Sequence, residues 1–373
     1  MSTPPVHAFG LDALRALAVA SVLLAHGALL HVDAHPGARF VLVICGVLGV
    51  EIFFALSGFL VGRQLLLVAE GRAVLWRFLV RRWVRTLPNY YLFLAINAAL
   101  AWWVIDRQHP DARFLWFGQS LAWPATSQFF PESWSLAVEE WFYLLGAFAF
   151  AAAAAARASP RVLGWGLVVL LGAGPVARLV VQLSAAVPID AGARKISLLR
   201  LDALAYGLAC AWIERHRPDR FLALQGRATR IAGLVLALAG AALLAAWSVD
   251  LRIFEPARSL RDQVLAALLF SALPMAAACA LPFLSAWRPA RGVLVGTVEH
   301  VSAWSYSIYL VHFPLLLVLA QRWPVDAGAG LASLARTAAW LAATLALAAL
   351  VYRNFGSPLL RHRPALRPDG AGR

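Results

Sequence analysis

Charge is scarce in this chain, and one kind is nearly absent. Asp, Glu, Lys and Arg make up 14% of its 373 residues, against about 25% in soluble domains. Lysine occurs once, as Lys195, so the positive charge is arginine. Cysteine is rare as well. Cys45, Cys210 and Cys279 all fall inside apolar runs, with no CxxC and no Cys/His ligand spacing. That excludes a disulfide framework and a structural zinc site and leaves helix packing as their role. No short-period repeat and no globular domain at either end can be read. The first apolar run lacks a basic segment ahead of it and is expected to be a retained helix, not a cleaved signal.

What fills the chain instead is hydrophobic residue, 61% of the total, with a mean hydropathy of +0.71. Apolar runs long enough to cross a bilayer recur throughout. The fold class expected is all-α, a polytopic bundle of about ten transmembrane helices near 11–31, 40–68, 87–105, 134–156, 162–184, 197–213, 231–249, 263–284, 301–321 and 331–351. The second span is long enough to tilt or to extend past the bilayer. Residues 1–352 read as one transmembrane domain and 353–373 as a basic tail.

A net charge of +14 and a pI near 11.0 would fit nucleic-acid binding, but the arginines sit in short segments between apolar runs. They cluster at 72–85, 215–230 and 353–367, with smaller groups at Arg157, Arg161, Arg288 and Arg291. With an even number of spans these segments share a side with the N-terminus. They carry about nineteen basic residues against about nine on the opposite side. The positive-inside rule then places both termini in the cytoplasm, with the lipid bilayer as partner and nucleic acid excluded. The Arg and Ala enrichment resembles a GC-rich bacterial genome, which points to a bacterial inner membrane. The segment 106–133 is aromatic, with Phe114, Trp116, Phe117, Trp123, Phe129 and Phe130. It reads as an interfacial belt or a platform for a sugar or lipid acceptor.

Ionisable groups inside these runs are functional candidates, because a bilayer penalises them. Arg15 falls near one end of the first helix, and His26 lies roughly 16 Å further along it. Glu51 and Glu139 are carboxylates able to orient an imidazole that works as a base. Arg15, Arg81, Arg82 and Arg85 lie on the expected cytoplasmic side, where guanidinium groups suit phosphates. Each candidate has a plainer reading. His26 could be a packing histidine, Arg15 could snorkel to the interface, and topology alone explains the 72–85 arginines. Glu139 could pair with an arginine such as Arg200. Glu140, about 100° around the helix from Glu139, reads as an interface residue. Ser57 has no base at a recognisable spacing; with Gly58 it reads as a close helix contact. His7, His31 and His35 receive no role.

Five segments in this order resemble the acyltransferase 3 family of integral-membrane O-acyltransferases. They are Arg15 with His26, Gly49–Phe59, Arg81–Tyr91, Trp134–Tyr143 and Tyr306–His312. The resemblance runs over at least the first nine spans. It implies transfer of an acyl group, usually acetyl, from cytoplasmic acyl-CoA to a hydroxyl of a glycan or glycolipid outside. Acyl-CoA enters as donor substrate; no bound cofactor and no metal are implied. His26, Glu139 and Glu51 would be catalytic, Arg15, Arg81, Arg82 and Arg85 would hold the donor, and Trp134, Ser135, Arg200, Tyr309 and His312 would line the acceptor side. The chain departs from the pattern at Glu51, where Asp is common, and at Trp141, where Gln is frequent. A transporter or flippase without acyl chemistry is the competing class, but no internal symmetry between the halves supports it.

Overall fold

The computed structural model describes residues 8–31, 36–103, 110–122, 129–248, 251–290, 292–324 and 330–366. Trp123 of the aromatic segment, His7, His35 and Arg367 lie outside them. The described chain is helical: α1 (Phe9–Ala28), α2 (Pro36–Ala69), α3 (Leu75–Trp103), α4 (Ser133–Ala155), α5 (Pro160–Ser184), α6 (Leu201–His216), α7 (Pro218–Ala223), α8 (Arg227–Ser248), α9 (Leu260–Ala286), α10 (Val293–Arg322), α11 (Gly330–Val351) and α12 (Ser357–Arg361).

Among the described residues eight helices are long and apolar enough to cross a membrane, fewer than the ten spans expected. The two others, α3 and α6, occupy expected spans but fall short for physical reasons. The first turns of α3 carry Arg77, Arg81, Arg82 and Arg85, which the charge pattern assigns to a loop and the structure folds into helix. At 16 residues, α6 is about 24 Å long, under the roughly 30 Å of a hydrocarbon core.

The centre of the bundle is α2, which packs against α1, α4, α6, α8 and α9. Its 34 residues give it about 51 Å of length. Its most extensive contact is with α6, and small residues allow it. A Cβ at Gly58 would run into the Leu204 carbonyl, and one at Gly207 into the Ala55 carbonyl. The approach is thus backbone to backbone, as small residues permit between membrane helices.

Lipid-facing positions show as exposed apolar side chains on α5 and α8, among them Trp165, Val169, Val176, Leu234 and Leu238. Phe114, Phe117, Phe129 and Phe130 are buried and pack with Tyr90. Most of the aromatic segment is therefore core, not interfacial belt or open platform; Trp116 remains exposed. Residues 353–366 do not form a free basic tail. Helix continues through α12, Arg81 Nη1 donates to the Pro364 carbonyl at 2.5 Å, and Leu366 packs on the core.

Candidate active site

Eleven residues separate Arg15 from His26 in register, about 1,100° of helix, so the two lie within about 20° of one face of α1. That face packs on α10, which runs parallel: Arg15 meets Ser302 and His26 meets His312.

At the first end, Asp12, Arg15 and Ser302 close a triangle. Arg15 Nη1 donates to Asp12 Oδ1 at 3.2 Å and to Ser302 Oγ at 3.1 Å, and Ser302 Oγ donates to Asp12 Oδ1 at 2.6 Å. The guanidinium is thereby aimed, not left to snorkel. It lines a cavity of about 90 Å³ with Arg82, Arg85, Ser57, Glu139 and Tyr143. Three cations and one carboxylate make this chamber positive. The Tyr143 and Ser57 hydroxyls lie 2.6 Å apart, one donating to the other, in the same lining as Glu139. Ser57 thus does more than allow close packing; Gly58 alone carries that role. Arg81, tied to Pro364, does not line the cavity.

At the second end, His26 lines a larger cavity of about 210 Å³ with Trp134, Glu132, Asp190, Arg194 and Lys195. Asp190 accepts from Arg194 at 2.6 Å and lies 2.5 Å from the Lys195 ammonium. The Arg194 guanidinium sits over the Trp134 ring, 4.8 Å from its centroid. Burial disfavours charge on Asp190, but Lys195 and Arg194 outweigh it and hold the carboxyl below its ordinary range.

The hydrogen-bond network fixes the histidine protons. His312 Nδ1 lies 3.2 Å from the Ile308 carbonyl, and only an N–H can bond there, so in the neutral ring Nε2 is the acceptor. His26 Nδ1, 2.8 Å away, then donates to it, which leaves His26 Nε2 with a bare lone pair. Trp340 of α11 buttresses the pair by donating its indole N–H to the His312 carbonyl at 2.9 Å.

The candidates therefore divide. Arg15, Arg82, Arg85, Ser135 and Glu139 line the first chamber, His26 and Trp134 the second, and Tyr309 both. His312 lines neither and acts on His26. Glu51 does not orient the imidazole: it is buried in an ion pair with Arg200, whose Nη1 also donates to the Phe270 carbonyl at 2.5 Å. That pair removes Arg200 from the acceptor-lining set and from Glu139, because its charge is consumed by α2. Glu140 is not at the interface. It is buried and accepts from Thr86 Oγ1 at 2.8 Å. Trp141 keeps a polar contact by donating to the Phe117 carbonyl at 3.0 Å. His31, left without a role, bonds Thr337 and Ser333 of α11. Asp12, Ser302, Asp190 and Arg194 were not candidates. Only Asp12 had a readable signal, three residues before Arg15 on the same helix face.

Comparison with known proteins identifies the family. The sequence profile of the acyltransferase 3 family, described as an acyltransferase domain, matches residues 9–353. A Komagataeibacter xylinus protein carrying the provisional name membrane-bound transacylase is 29% identical over 155 residues, 36% of this chain and 35% of its own length. The match thus spans about a third of that relative. No solved structure matches. With nearly the whole described bundle inside the matched range, the chain belongs to the acyltransferase 3 family of membrane acyltransferases.

Proposed function

We propose that this protein is an O-acyltransferase of the bacterial inner membrane. It moves an acyl group, acetyl in the simplest case, from acyl-CoA to a hydroxyl of a glycan or glycolipid on the far side. The observation that carries the reading is that one face of α1 presents Arg15 to a positive chamber and His26 to a second chamber abutting the first. The positive chamber is taken as cytoplasmic, with both chain ends on that side. Arg15, Arg82 and Arg85 would hold donor phosphates.

In the second chamber, His26 Nε2 takes the proton of the acceptor hydroxyl while its oxygen bonds to the thioester carbonyl carbon. The C–S bond then breaks, and the leaving thiolate takes the proton back from Nε2. Throughout, the His26 Nδ1–H to His312 bond holds the ring and spreads the charge of the imidazolium. The same bare Nε2 also serves a route in which His26 is first acylated and the acceptor hydroxyl then attacks it. Glu139 would orient groups in the donor chamber and not at His26.

The test uses inverted membrane vesicles given labelled acetyl-CoA, with wild type and His26→Ala compared. Label on lumenal glycan or on the protein, lost in His26→Ala while folding is retained, is the expected result. Undiminished transfer by His26→Ala would sink the mechanism. If neither protein transfers label, donor binding by wild type and Arg15→Ala decides whether a carrier without acyl chemistry fits better.

A further inference from the structure

Among the described residues, the two chambers share only Val50 and Tyr309 in their linings. Arg15, Arg82, Arg85 and Glu139 face the first alone; His26, Arg194 and Lys195 face the second alone. An acyl group delivered through the first chamber meets these two side chains before it meets His26. Val50 is β-branched on the central helix and 5% exposed, with little freedom to turn. Tyr309 is longer, and its position is set at the tip. Its hydroxyl lies 2.6 Å from Ser135 Oγ and 3.0 Å from the Glu132 carbonyl, both at the start of α4. The ring leans edge-on against Phe53, with centroids 6.3 Å apart, and on His312 at 5.7 Å.

We propose that Tyr309 is a movable partition between the two chambers, latched to α4 through its hydroxyl, and that release of the latch joins them for transfer. The inference rests on the proposed acyl transfer for its purpose but not for its test. The chemistry asks for such a device. A permanently open path would admit water to the thioester and ions across the bilayer, whereas a permanently closed one would keep the thioester from His26. The phenol donates to the Glu132 carbonyl and accepts from Ser135 Oγ, and two neutral hydrogen bonds form a latch that is modest in strength and reversible. The latch is also placed to report occupancy, because Ser135 lines the donor chamber and Trp134, its neighbour, lines the other.

The experiment reads access, not activity. In full-length protein with Cys45→Ala, Cys210→Ala and Cys279→Ala, Val47→Cys places a single thiol in the His26 chamber, one helical turn from Val50. A membrane-impermeant methanethiosulfonate is applied to oriented vesicles from each face. With Tyr309 intact the thiol reacts from the His26 face only. Tyr309→Ala opens it to both faces. Tyr309→Phe keeps the ring and loses the latch, and makes reaction from the Arg15 face detectable, at a rate below that of Tyr309→Ala. Reaction from both faces with Tyr309 intact, or from one face only in both the Phe and Ala variants, overturns the proposal. The Phe variant guards against misfolding of the Ala variant. If acyl transfer itself survives His26→Ala, the mechanism fails while the labelling pattern still decides the partition.

Discussion

Two groups of ionisable side chains are buried in this bundle, and they behave in opposite ways. Where α2, α5, α6 and α9 meet, Arg178 pairs bidentately with Asp202 at 2.9 and 2.8 Å and bonds Ser271, the Ala267 carbonyl and the Leu199 carbonyl. Beside it, Arg200 pairs with Glu51. All four are essentially without exposure and line neither chamber. On α1 and α4, by contrast, Arg15, His26 and Glu139 each turn toward empty space. An ionisable residue inside a membrane protein is thus not by itself a mark of function. Adjacency to a cavity separates the proposed working set from the bracing set.

The largest effect that would test this contrast is expected in the bracing set. Asp202→Ala strands Arg178, and loss of one partner of a buried pair costs about 3–5 kcal/mol. The folded, monodisperse fraction in detergent should collapse, while Arg178→Met with Asp202→Leu recovers much of it. A well-folded Asp202→Ala that fails only in transfer would merge the two groups. Next comes His312→Ala, which should lower transfer by roughly ten- to a hundredfold, less than the ~10²–10⁴ expected for loss of the base. Its melting temperature should change little, and His312→Asn, which keeps an acceptor, should restore part of the rate. The carboxylates sharpen the contrast further. Glu51→Gln should lower the melting temperature more than the rate, and Glu139→Gln the rate more than the melting temperature. If both variants move the same quantity, the division is wrong.

The smallest effect lies outside the bilayer. Glu70 accepts from Arg215 at 2.7 and 2.6 Å in a partly exposed pair, and that hydrogen bonding, reinforced by Arg72, holds its carboxyl below the ordinary value. A folded-state pKa below the unfolded one gives stability that is present above about pH 4.3 and lost as pH falls through the folded value. Screening limits it to about 0–1 kcal/mol. Glu70→Ala should therefore change thermal stability slightly at pH 7, and the difference should shrink as pH falls through the folded value.

How much of this was legible in the sequence follows the range of each interaction. Arg15 and His26 share one helix, so the rise per residue gave their separation along it without any tertiary contact. Glu51 and Arg200 stand 149 positions apart, and no local pattern announces that they meet. The helical phase of Glu140 was right, but α4 starts buried on most sides, so 100° of rotation led to Thr86 and not to lipid. The arginines of α3 looked like loop charges because charge density outweighed helical continuity. Arg194 and Lys195 were counted among the basic residues of the opposite side, and Asp190 drew no reading, although one connector folds all three into the wall of the His26 chamber.

The unequal lengths of α2 and α6 carry a consequence for the surrounding lipid. The shortest of the long helices, at about 24 Å, is braced along the longest, at about 51 Å, and much of its surface is covered by α2, α5 and α9. Acyl chains therefore do not register its shortness; the annulus is set by the outer helices α5, α8 and α11. Bilayer thickness then acts on the rim and not on the glycine crossing at the middle, so hydrophobic mismatch falls to the periphery.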